Sequence, residues 1–216
     1  MLKTEESYPL ERKPQMSNDI PVIDNPVIDN PVIDRPIMPD GYGVPPDSTG
    51  LLSWADVEPR LVESAVYWLA TTRPDGRPHV VPRWGVWLDG AFWYDGSPQT
   101  RHVRNLLGNA ACTLHLEDGT RAIMVEGTAG PTTSPGPALA ARLSAAFGKY
   151  QDLGYAPGPD SWEGDQAGGL CRLAPARALA WFNFPIDVTP ISLVVTAISS
   201  GRHGWRPDLG RGRCDV

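Results

Sequence analysis

The residues from Ser97 to Asn105 combine hydroxyl groups and positive charge in a pattern that could bind an anion. Ser97-Pro98 favours the start of a helix, because proline is tolerated where its missing N–H would be unpaired anyway. The free N–H groups of a helix N-terminus and the guanidinium of Arg101 both favour negative charge. Ser97, Thr100 and Arg101 are therefore predicted to hold a phosphate or a similar anion.

Helical spacing from Ser97 divides the following side chains between two faces. One face is expected to carry Arg101, Arg104 and Asn105, and the other Val103, Leu106 and Leu107. Gly108 follows at a position typical of a helix C-cap. The pattern predicts a short helix with a polar, basic face and an apolar face.

An aromatic hairpin precedes this helix and could cover a flat ring. The runs His79–Leu88 and Ala91–Tyr94 are rich in aromatic and β-branched residues, and Asp89-Gly90 between them is a strong two-residue turn signal. The hairpin carries the aromatic side chains Trp84, Trp87, Trp93 and Tyr94. An aromatic surface beside a predicted phosphate site indicates a phosphorylated aromatic cofactor.

Other residue types that carry chemistry are scattered. The four histidines, at 79, 102, 115 and 203, lack the spacing of a metal site, and no Ser/His/Asp arrangement is evident. The three cysteines form an odd set without metal-type spacing. Cys112 and Cys171 fall in strand-like runs, where a buried, reduced thiol is expected. No metal is predicted, and no catalytic residue can be assigned.

Short strands joined by tight turns surround the site. A helix is expected to end near Ser64. Ser53 with Asp56 resembles a capping box, but a cap at Ser53 would leave Pro59 in the helix interior, where it removes a hydrogen bond. A cap at Asp56 would instead place Pro59 in the first turn, and both caps are compatible with the sequence. The predicted strands are Val66–Arg73, the two strands of the hairpin, Ala111–Glu117, Arg121–Ala129, Leu170–Ala174 and Ala178–Phe184, and a third helix is predicted at Pro137–Tyr150. Three Asp-Gly turns indicate an antiparallel meander.

The two ends of the chain differ in composition from its centre. Residues Met1 to Gly50 contain a repeated Pro-Val-Ile-Asp segment with proline at every fifth position from Pro21 to Pro36. Such a segment cannot form a regular helix, so a disordered linker is favoured over a strand that docks on a sheet edge. The predicted domains are the tail 1–50, a central domain 51–185, and a C-terminal extension 186–216 of unknown structure.

Composition limits the classes of partner. The 216 residues carry a formal net charge of −6, which disfavours nucleic acid and anionic membranes as partners. The charged N-terminus lacks the apolar run of a secretory signal, and no stretch is long enough to span a bilayer. A cytoplasmic protein with a small-molecule substrate is expected.

With these segments placed, the central chain resembles the flavin-binding split-barrel superfamily. It is most similar to the pyridoxamine 5′-phosphate oxidase-like and deazaflavin-dependent oxidoreductase proteins. The resemblance rests on Tyr67–Gly90, Thr100–Leu106 and Ala178–Pro185, and it extends from about Leu51 to Pro185.

This resemblance implies a fold, an assembly and a cofactor site. It implies a mostly β, six-stranded antiparallel split barrel of Greek-key type with a few short helices, in a homodimer with cofactor sites at the interface. The cofactor would be FMN or the deazaflavin coenzyme F-420, with its ring along the strand His79–Trp84 and its phosphate at the start of the short helix. The cofactor-binding residues expected on these grounds are His79, Val81, Pro82, Trp84, Ser97, Thr100, Arg101, His102 and Asn105.

The helix motif departs from the family pattern at one position. Thr100-Arg101-His102 has histidine where the family commonly has lysine, and a neutral imidazole brings less charge to a phosphate. A helix that starts at Ser97 sets His102 apart from Arg101, whereas Thr100 as the N-cap puts His102 in the first turn, within reach of the anion. Both registers are compatible with the sequence.

Three functions are compatible with these features. The first is an oxidoreductase that transfers a hydride between a flavin-type cofactor and a small organic substrate, which needs little from the protein beyond holding and tuning the ring. The second is a non-catalytic protein that binds or senses flavin, deazaflavin or haem. The third is a structural barrel, which the grouping of Arg83, Arg101 and Arg104 near tryptophans in an acidic protein disfavours. The enzyme is favoured.

Overall fold

The computed structural model describes residues 27–132, 135–163 and 169–196. This part of the chain forms one nine-stranded sheet in which every described strand pair is antiparallel. The strands are β1 (Val27–Ile33), β2 (Tyr67–Thr72), β3 (Pro78–Arg83), β4 (Val86–Leu88), β5 (Ala91–Asp95), β6 (Ala111–His115), β7 (Ile123–Thr132), β8 (Leu170–Ala180) and β9 (Thr189–Thr196). The helices are α1 (Trp54–Glu63), α2 (Arg101–Gly108) and α3 (Pro137–Phe147), with short 3-10 helices at Gly148–Leu153 and Pro159–Trp162.

The strand order shows where the sheet divides into two branches. The main path runs β1-β9-β8-β7-β6-β2-β3, and β5 joins it by pairing with β8 while β4 pairs with β5. One edge of β8 is shared, because its start pairs with β5 and its end with β9. The prediction of a mostly β, antiparallel split barrel is confirmed, with nine strands instead of six.

Glycine 85 divides the predicted strand His79–Leu88 into two. β3 ends at Arg83 and pairs with β2, and β4 begins at Val86 and pairs with β5. A Cβ at Gly85 would lie 2.4 Å from the ring of Phe92, so the backbone passes β5 too closely to continue as a regular strand. The single-strand prediction is therefore wrong. The Asp89-Gly90 turn is confirmed, with positive φ angles of 53° and 62°.

Two predicted strands near the end of the domain are instead one. β8 runs without a break from Leu170 to Ala180, although the sequence predicted separate strands at Leu170–Ala174 and Ala178–Phe184. Pro175 is accommodated where the β7–β8 register shifts, opposite Gly127. A proline within a sheet is tolerated at such a bulge because no ladder hydrogen bond is lost.

The structure selects between the predicted helix caps. Ser53 precedes α1, and the Asp56 carboxylate accepts hydrogen bonds from the Ser53 N–H (2.8 Å) and hydroxyl (2.6 Å). These bonds lower the pKa of Asp56. Pro59 lies inside α1, so the alternative cap at Asp56 is wrong. The favourable cap offsets part of the cost of an interior proline.

Thr100 is the N-cap residue of α2, so the second of the two registers is observed. Ser97 precedes the helix and is not its cap. The predicted helix faces need correction, because Asn105 is buried and Leu107 is exposed. The end of α2 agrees within one residue, with Asn109 as the C-cap in place of Gly108.

Two apolar clusters hold the sheet and helices together. The main cluster joins the inner face of the sheet to α1 and α2, and includes Leu61, Tyr67 and Leu106. The second joins α3 and the 3-10 helices to β4 and β5, around Trp93 and Phe147. Each fully buried side chain of this size contributes about 1.5–3 kcal/mol of burial free energy. The second cluster fixes the hairpin that forms one wall of the candidate site.

The end segments take part in the same sheet. β1 lies within the predicted tail and pairs with β9, which lies within the predicted C-terminal extension. The linker interpretation is therefore wrong for residues 27–33, where the strand-docking alternative is observed, and residues 1–26 and 197–216 lie outside the described residues. The limits 51–185 of the central domain remain a prediction. Cys112 and Cys171 are buried and free, as predicted, whereas Cys214 lies outside the described part. Within the described ranges, no helix has the length and hydropathy needed to cross a membrane.

Candidate functional site

Strand β3 and the N-terminus of α2 bring five basic side chains into one neighbourhood. β3 alternates so that His79, Val81 and Arg83 are half-buried while the residues between them are exposed. Arg101 is the first residue of α2, and His102 follows it. Arg73, at the end of β2, completes the group that we call the cationic cluster: Arg73, His79, Arg83, Arg101 and His102.

The lowered pKa values of the two histidines indicate that the electrostatic potential in this cluster is positive. Burial lowers the pKa of His79, and the charges of Arg73 and Arg101 lower it further. Burial, with Arg83 and His79, lowers the pKa of His102 to about 4. No carboxylate acts on either imidazole, and none of the ion pairs among the described residues includes a member of the cluster. Both imidazoles are neutral at pH 7. The charge of the cluster comes from its arginines and is positive, so the cluster favours an anion.

Several buried donors of the cluster have no partner. His79 Nδ1, Arg73 Nε and Arg83 Nε are buried and make no hydrogen bond within the described residues. A buried polar atom without a partner costs about 1–3 kcal/mol, so such groups usually mark a place where a ligand or water completes the bonding. The three nitrogens lie along β3, with Arg73 beyond one end and Arg83 at the other, and His79 and His102 between them lie beside the N-terminus of α2, where an anion is favoured.

Arg83 joins the cationic cluster to an aromatic pocket. The Arg83 Nη2 donates to the backbone carbonyl of Asp95, across the gap between β3 and β5, and its Cζ lies 5.5 Å from the centre of the Tyr94 ring. The adjacent cavity, which we call the aromatic slot, has a volume of about 480 Å³ and is lined by Val66, Pro82, Arg83, Trp84, Asp95 and Tyr155. Its size falls within the range of small-molecule and cofactor sites.

Trp84 forms an exposed but well-supported wall of the aromatic slot. Its side chain is 41% exposed, and its indole stacks on Tyr150 with centroids 5.3 Å apart and an interplanar angle of 14°. The Tyr150 hydroxyl accepts a hydrogen bond from the Gly85 N–H (2.9 Å) and lies 2.8 Å from the carbonyl oxygen of Ala65. A large aromatic side chain held in this way has a free surface suited to packing against a flat ring.

Asp95 supplies a carboxylate to the same slot. Its Oδ1 accepts a hydrogen bond of 2.6 Å from Trp162 Nε1. Burial raises the pKa of Asp95, while the Trp162 bond and the charge of Arg83 act in the opposite direction. A carboxyl group with a raised pKa beside a guanidinium can accept or donate a proton near a bound ring.

Asn105 connects α2 to the sheet beneath the cationic cluster. Its Nδ2 donates to Thr71 Oγ1 (3.0 Å), and the Thr71 hydroxyl is 3.3 Å from the carbonyl oxygen of His79. Asn105 Oδ1 is buried without a partner in the described chain. Because Asn105 is only 2% exposed, we expect it to position β3 against α2 more than to contact a ligand.

The structure brings most of the residues predicted from the sequence together. His79, Arg101 and His102 meet in the cationic cluster, and Pro82 and Trp84 line the aromatic slot. Val81 shares the face of His79, but it does not line the aromatic slot.

The residues around the start of α2 bond mainly to their own segment of the chain. Thr100 Oγ1 donates to the Ser97 carbonyl (2.7 Å) and lies 3.4 Å from His102 Nε2. Ser97 Oγ accepts from the Gln99 N–H (3.3 Å) and is therefore partly engaged in its own turn. His102 is only 3% exposed, so its place in the first turn after the Thr100 N-cap does not by itself bring its ring to a ligand. Whether these residues contact a cofactor remains a prediction.

Five residues of the site are absent from the set predicted from the sequence: Val66, Arg73, Arg83, Asp95 and Tyr155. Arg83 shares the alternation of His79 and Val81 in β3, and this spacing could have identified it. Asp95 and Tyr155 gave no comparable signal, because the slot forms only when β5 and the loop after α3 approach the end of β3. Among the described residues, no group of three or more His, Cys, Asp or Glu side chains could hold a metal ion.

These residues fit a phosphorylated ring compound. The unpartnered nitrogens of His79 and Arg83 can bind phosphate oxygens, and the exposed Trp84 surface matches a flat ring. The two features are adjacent because Arg83 belongs to both. The fit thus rests on the donor set and on the slot.

Comparison with known proteins places the fold in a family. The sequence profile described as pyridoxamine 5′-phosphate oxidase matches residues 54–182, which is more than half of the chain. No protein of curated function matches the chain significantly.

Several solved structures are similar to the chain at low sequence identity. A structure titled F420 reductase is 22% identical and covers 65% of this chain and 98% of its own, with a TM-score of 0.43. A FAD-binding protein from Mesorhizobium loti is 17% identical and covers 65% and 96%, with a TM-score of 0.47. The haem storage protein HutZ from Vibrio cholerae is 22% identical and covers 56% and 88%, with a TM-score of 0.44. The profile match, which includes β2–β8, α1 and α2, shows that the chain belongs to the pyridoxamine 5′-phosphate oxidase family.

Proposed function

We propose that the chain is an oxidoreductase that binds a phosphorylated flavin-type cofactor, FMN or the deazaflavin coenzyme F-420. One observation carries this proposal: unpartnered cationic donors lie next to an aromatic slot, and Arg83 belongs to both. Membership of the pyridoxamine 5′-phosphate oxidase family supports the same class of cofactor. The substrate would be a small organic molecule.

The cofactor phosphate would bind at the cationic cluster. Arg101 contributes a guanidinium at the first position of α2, where the backbone N–H groups of the helix are also free. Arg83 and His79 contribute the buried donors that lack partners. Charge-assisted hydrogen bonds from guanidinium groups to phosphate are about twice as strong as neutral ones, so these side chains would dominate the affinity.

The cofactor ring would occupy the aromatic slot. Trp84 would pack against its face, while Pro82 and Val66 would exclude water from its edge. When bound, the ring supplies the two-electron chemistry of hydride transfer. Asp95 would hold or move a proton at its carboxylate, because burial has raised its pKa.

We further propose that the chain acts as a homodimer. Val80, Trp84 and Leu107 are large apolar side chains that are exposed on β3, just after β3, and on α2, and an open groove of about 560 Å³ crosses β2, β6 and β7. A second copy of the chain could cover this surface and complete the site. Sedimentation at micromolar concentration is expected to give a dimer.

The visible spectrum of the purified protein tests the proposed cofactor class. A flavin or deazaflavin spectrum, together with release of a phosphorylated ligand of matching mass on denaturation, would support the proposal. A Soret band would instead support the alternative, a haem-binding protein.

Turnover distinguishes an enzyme from a binding protein. The protein loaded with reduced FMN or reduced F-420 would be mixed with a panel of small electron acceptors, and oxidation of the cofactor followed by absorbance. Oxidation faster than that of the free cofactor supports an enzyme. Protection of the reduced cofactor from every acceptor would support storage or sensing.

A further inference from the structure

The N-terminal repeat contains the same nonapeptide twice. PVIDNPVID occupies residues 21–29 and again residues 26–34, so the two copies overlap by four residues. Strand β1 (Val27–Ile33) lies within the second copy and pairs with β9. A shift of the chain by five residues would place the first copy on β9 with the same residue type at every strand position.

The strand itself cannot distinguish the two copies. β1 contains an irregularity between Asp29 and Val32, where Asn30 adopts a positive φ of 46° and Pro31 follows. Asparagine tolerates this conformation better than most residues, and the first copy supplies Asn25 followed by proline at the same place. Ile28, which packs against the main core, would be replaced by another isoleucine.

The first difference after the nonapeptide is at position 35. The observed register has Arg35 there, whereas the shifted register would have Asn30. Arg35 donates three hydrogen bonds to backbone carbonyls: Nε to Asp47 (2.9 Å), Nη1 to Ile186 (2.8 Å) and Nη2 to Thr49 (2.6 Å). The short amide of asparagine cannot reach three carbonyls on two separate segments.

We propose that the edge of β9 that β1 occupies is a strand-binding surface that accepts either copy of PVIDNPVID, and that Arg35 selects the second copy. Asp34 and Pro36 cannot make this selection, because residues of the same type follow in the shifted register. The longer connection to α1 in that register adds little cost, since loop-closure entropy grows only with the logarithm of loop length. Next to the strand, the selection therefore depends on the Arg35 hydrogen bonds, and the added five residues can form a loop without moving the segment after Pro36.

Thiol crosslinking of two matched cysteine pairs tests this proposal. Val32 faces Ser192 in the observed register, and Val27 would face Ser192 in the shifted one. In the full-length chain with Cys214→Ser, one variant carries Val32→Cys with Ser192→Cys and the other carries Val27→Cys with Ser192→Cys. Dibromobimane, which bridges only nearby thiols, is the probe, and peptide mass spectrometry of monomeric product identifies the link.

With Arg35 present, the 27–192 link is expected to form at less than about a tenth of the 32–192 yield, because three charge-assisted hydrogen bonds separate the registers. Adding Arg35→Asn is expected to bring the two yields within about threefold of each other, since the registers become nearly equal in energy. The proposal would be overturned by a 27–192 link that stays absent with Arg35→Asn while the 32–192 link forms, or by a 27–192 yield that already equals the 32–192 yield with Arg35 present. Loss of both links in the Arg35→Asn chain would also overturn it, because β9 would then hold neither copy.

Discussion

Arg101 is the exposed cation at the first position of α2, and its guanidinium lies close enough to His79 to lower the pKa of that imidazole. Replacing Arg101 by alanine is expected to weaken cofactor binding by about 1.5–3 kcal/mol, because a charge-assisted hydrogen bond to phosphate is lost. Titration with FMN and with F-420 measures the effect. Arg104→Ala, which removes an exposed arginine one turn along α2, is the matched control and should leave the affinity within about twofold. Unchanged affinity for both cofactors in Arg101→Ala would remove Arg101 from the site.

His102 is expected to make the stability of the protein depend on pH. Its pKa is about 4 in the folded chain because of burial, Arg83 and His79, and about 6.5 when unfolded. Between these values the unfolded chain binds a proton that the folded chain does not, so stability falls as the pH decreases from about 6.5 to about 4. The full shift corresponds to about 3 kcal/mol, which screening by solvent reduces to an expected loss of about 1–2 kcal/mol, and urea unfolding across this range measures it. In His102→Gln the decline should be shallower by that amount; an identical slope would mean that His102 does not titrate as described.

The residues of the site differ in how far the sequence could predict them. Thr100 and Arg101 form a local motif at a helix start, and such a motif is visible in the order of residue types. Asp95 and Tyr155 belong to the site only because separate elements approach, and no local pattern encodes that approach. The burial of His102 and Asn105 was missed because it depends on how α2 packs against the sheet, where Asn105 donates to Thr71.

At the scale of elements, close backbone contacts determine where strands break and bend. Gly85 separates β3 from β4, and Gly127 lies opposite Pro175 where a Cβ would be 2.1 Å from the Ala174 carbonyl oxygen. The turn at Asp89-Gly90 and the helix α3 were predictable from local propensity. The break at Gly85 and the continuity of β8 were not, because both depend on which strand lies alongside.

Gly85→Ala is expected to destabilise the protein by about 2–4 kcal/mol. A Cβ there would lie 2.4 Å from the Phe92 ring and 2.6 Å from the Trp93 carbonyl oxygen, and both belong to a strand that cannot easily move. Gly108→Ala is the control, because a Cβ at the end of α2 meets nothing within 4 Å. That change should be neutral or stabilise by up to about 1 kcal/mol. Equal unfolding midpoints for the two variants in urea would contradict the described approach of β4 and β5.

At the scale of the whole molecule, residues 27–33 of the predicted tail and residues 189–196 of the predicted C-terminal extension belong to the sheet. Prolines at every fifth position made a linker the favoured interpretation, but β1 tolerates Pro31 at its irregularity and pairs with β9. The fold class was predictable because turns and alternation recur along the chain. The joining of the two ends was not, since it pairs segments about 160 residues apart.

Removal of residues 1–33 is expected to lower the melting temperature by about 3–6 °C, because Ile28 leaves the main core and the edge of β9 is exposed. Removal of residues 1–20 keeps both copies of the repeat and should leave the melting temperature unchanged. Differential scanning calorimetry of the two truncated chains makes the comparison. Equal melting temperatures would show that β1 contributes nothing to stability.

The central claim is that the cationic cluster binds the phosphate of a flavin-type cofactor whose ring lies in the aromatic slot. Fluorescence titration of the purified chain with FMN and with riboflavin, and with F-420 and its phosphate-free deazaflavin fragment, tests it most directly. For at least one pair, the phosphorylated member is expected to bind at least about tenfold more tightly, and Arg83→Gln should remove most of that difference. Binding of neither phosphorylated cofactor, or equal affinity with and without the phosphate, would contradict the claim.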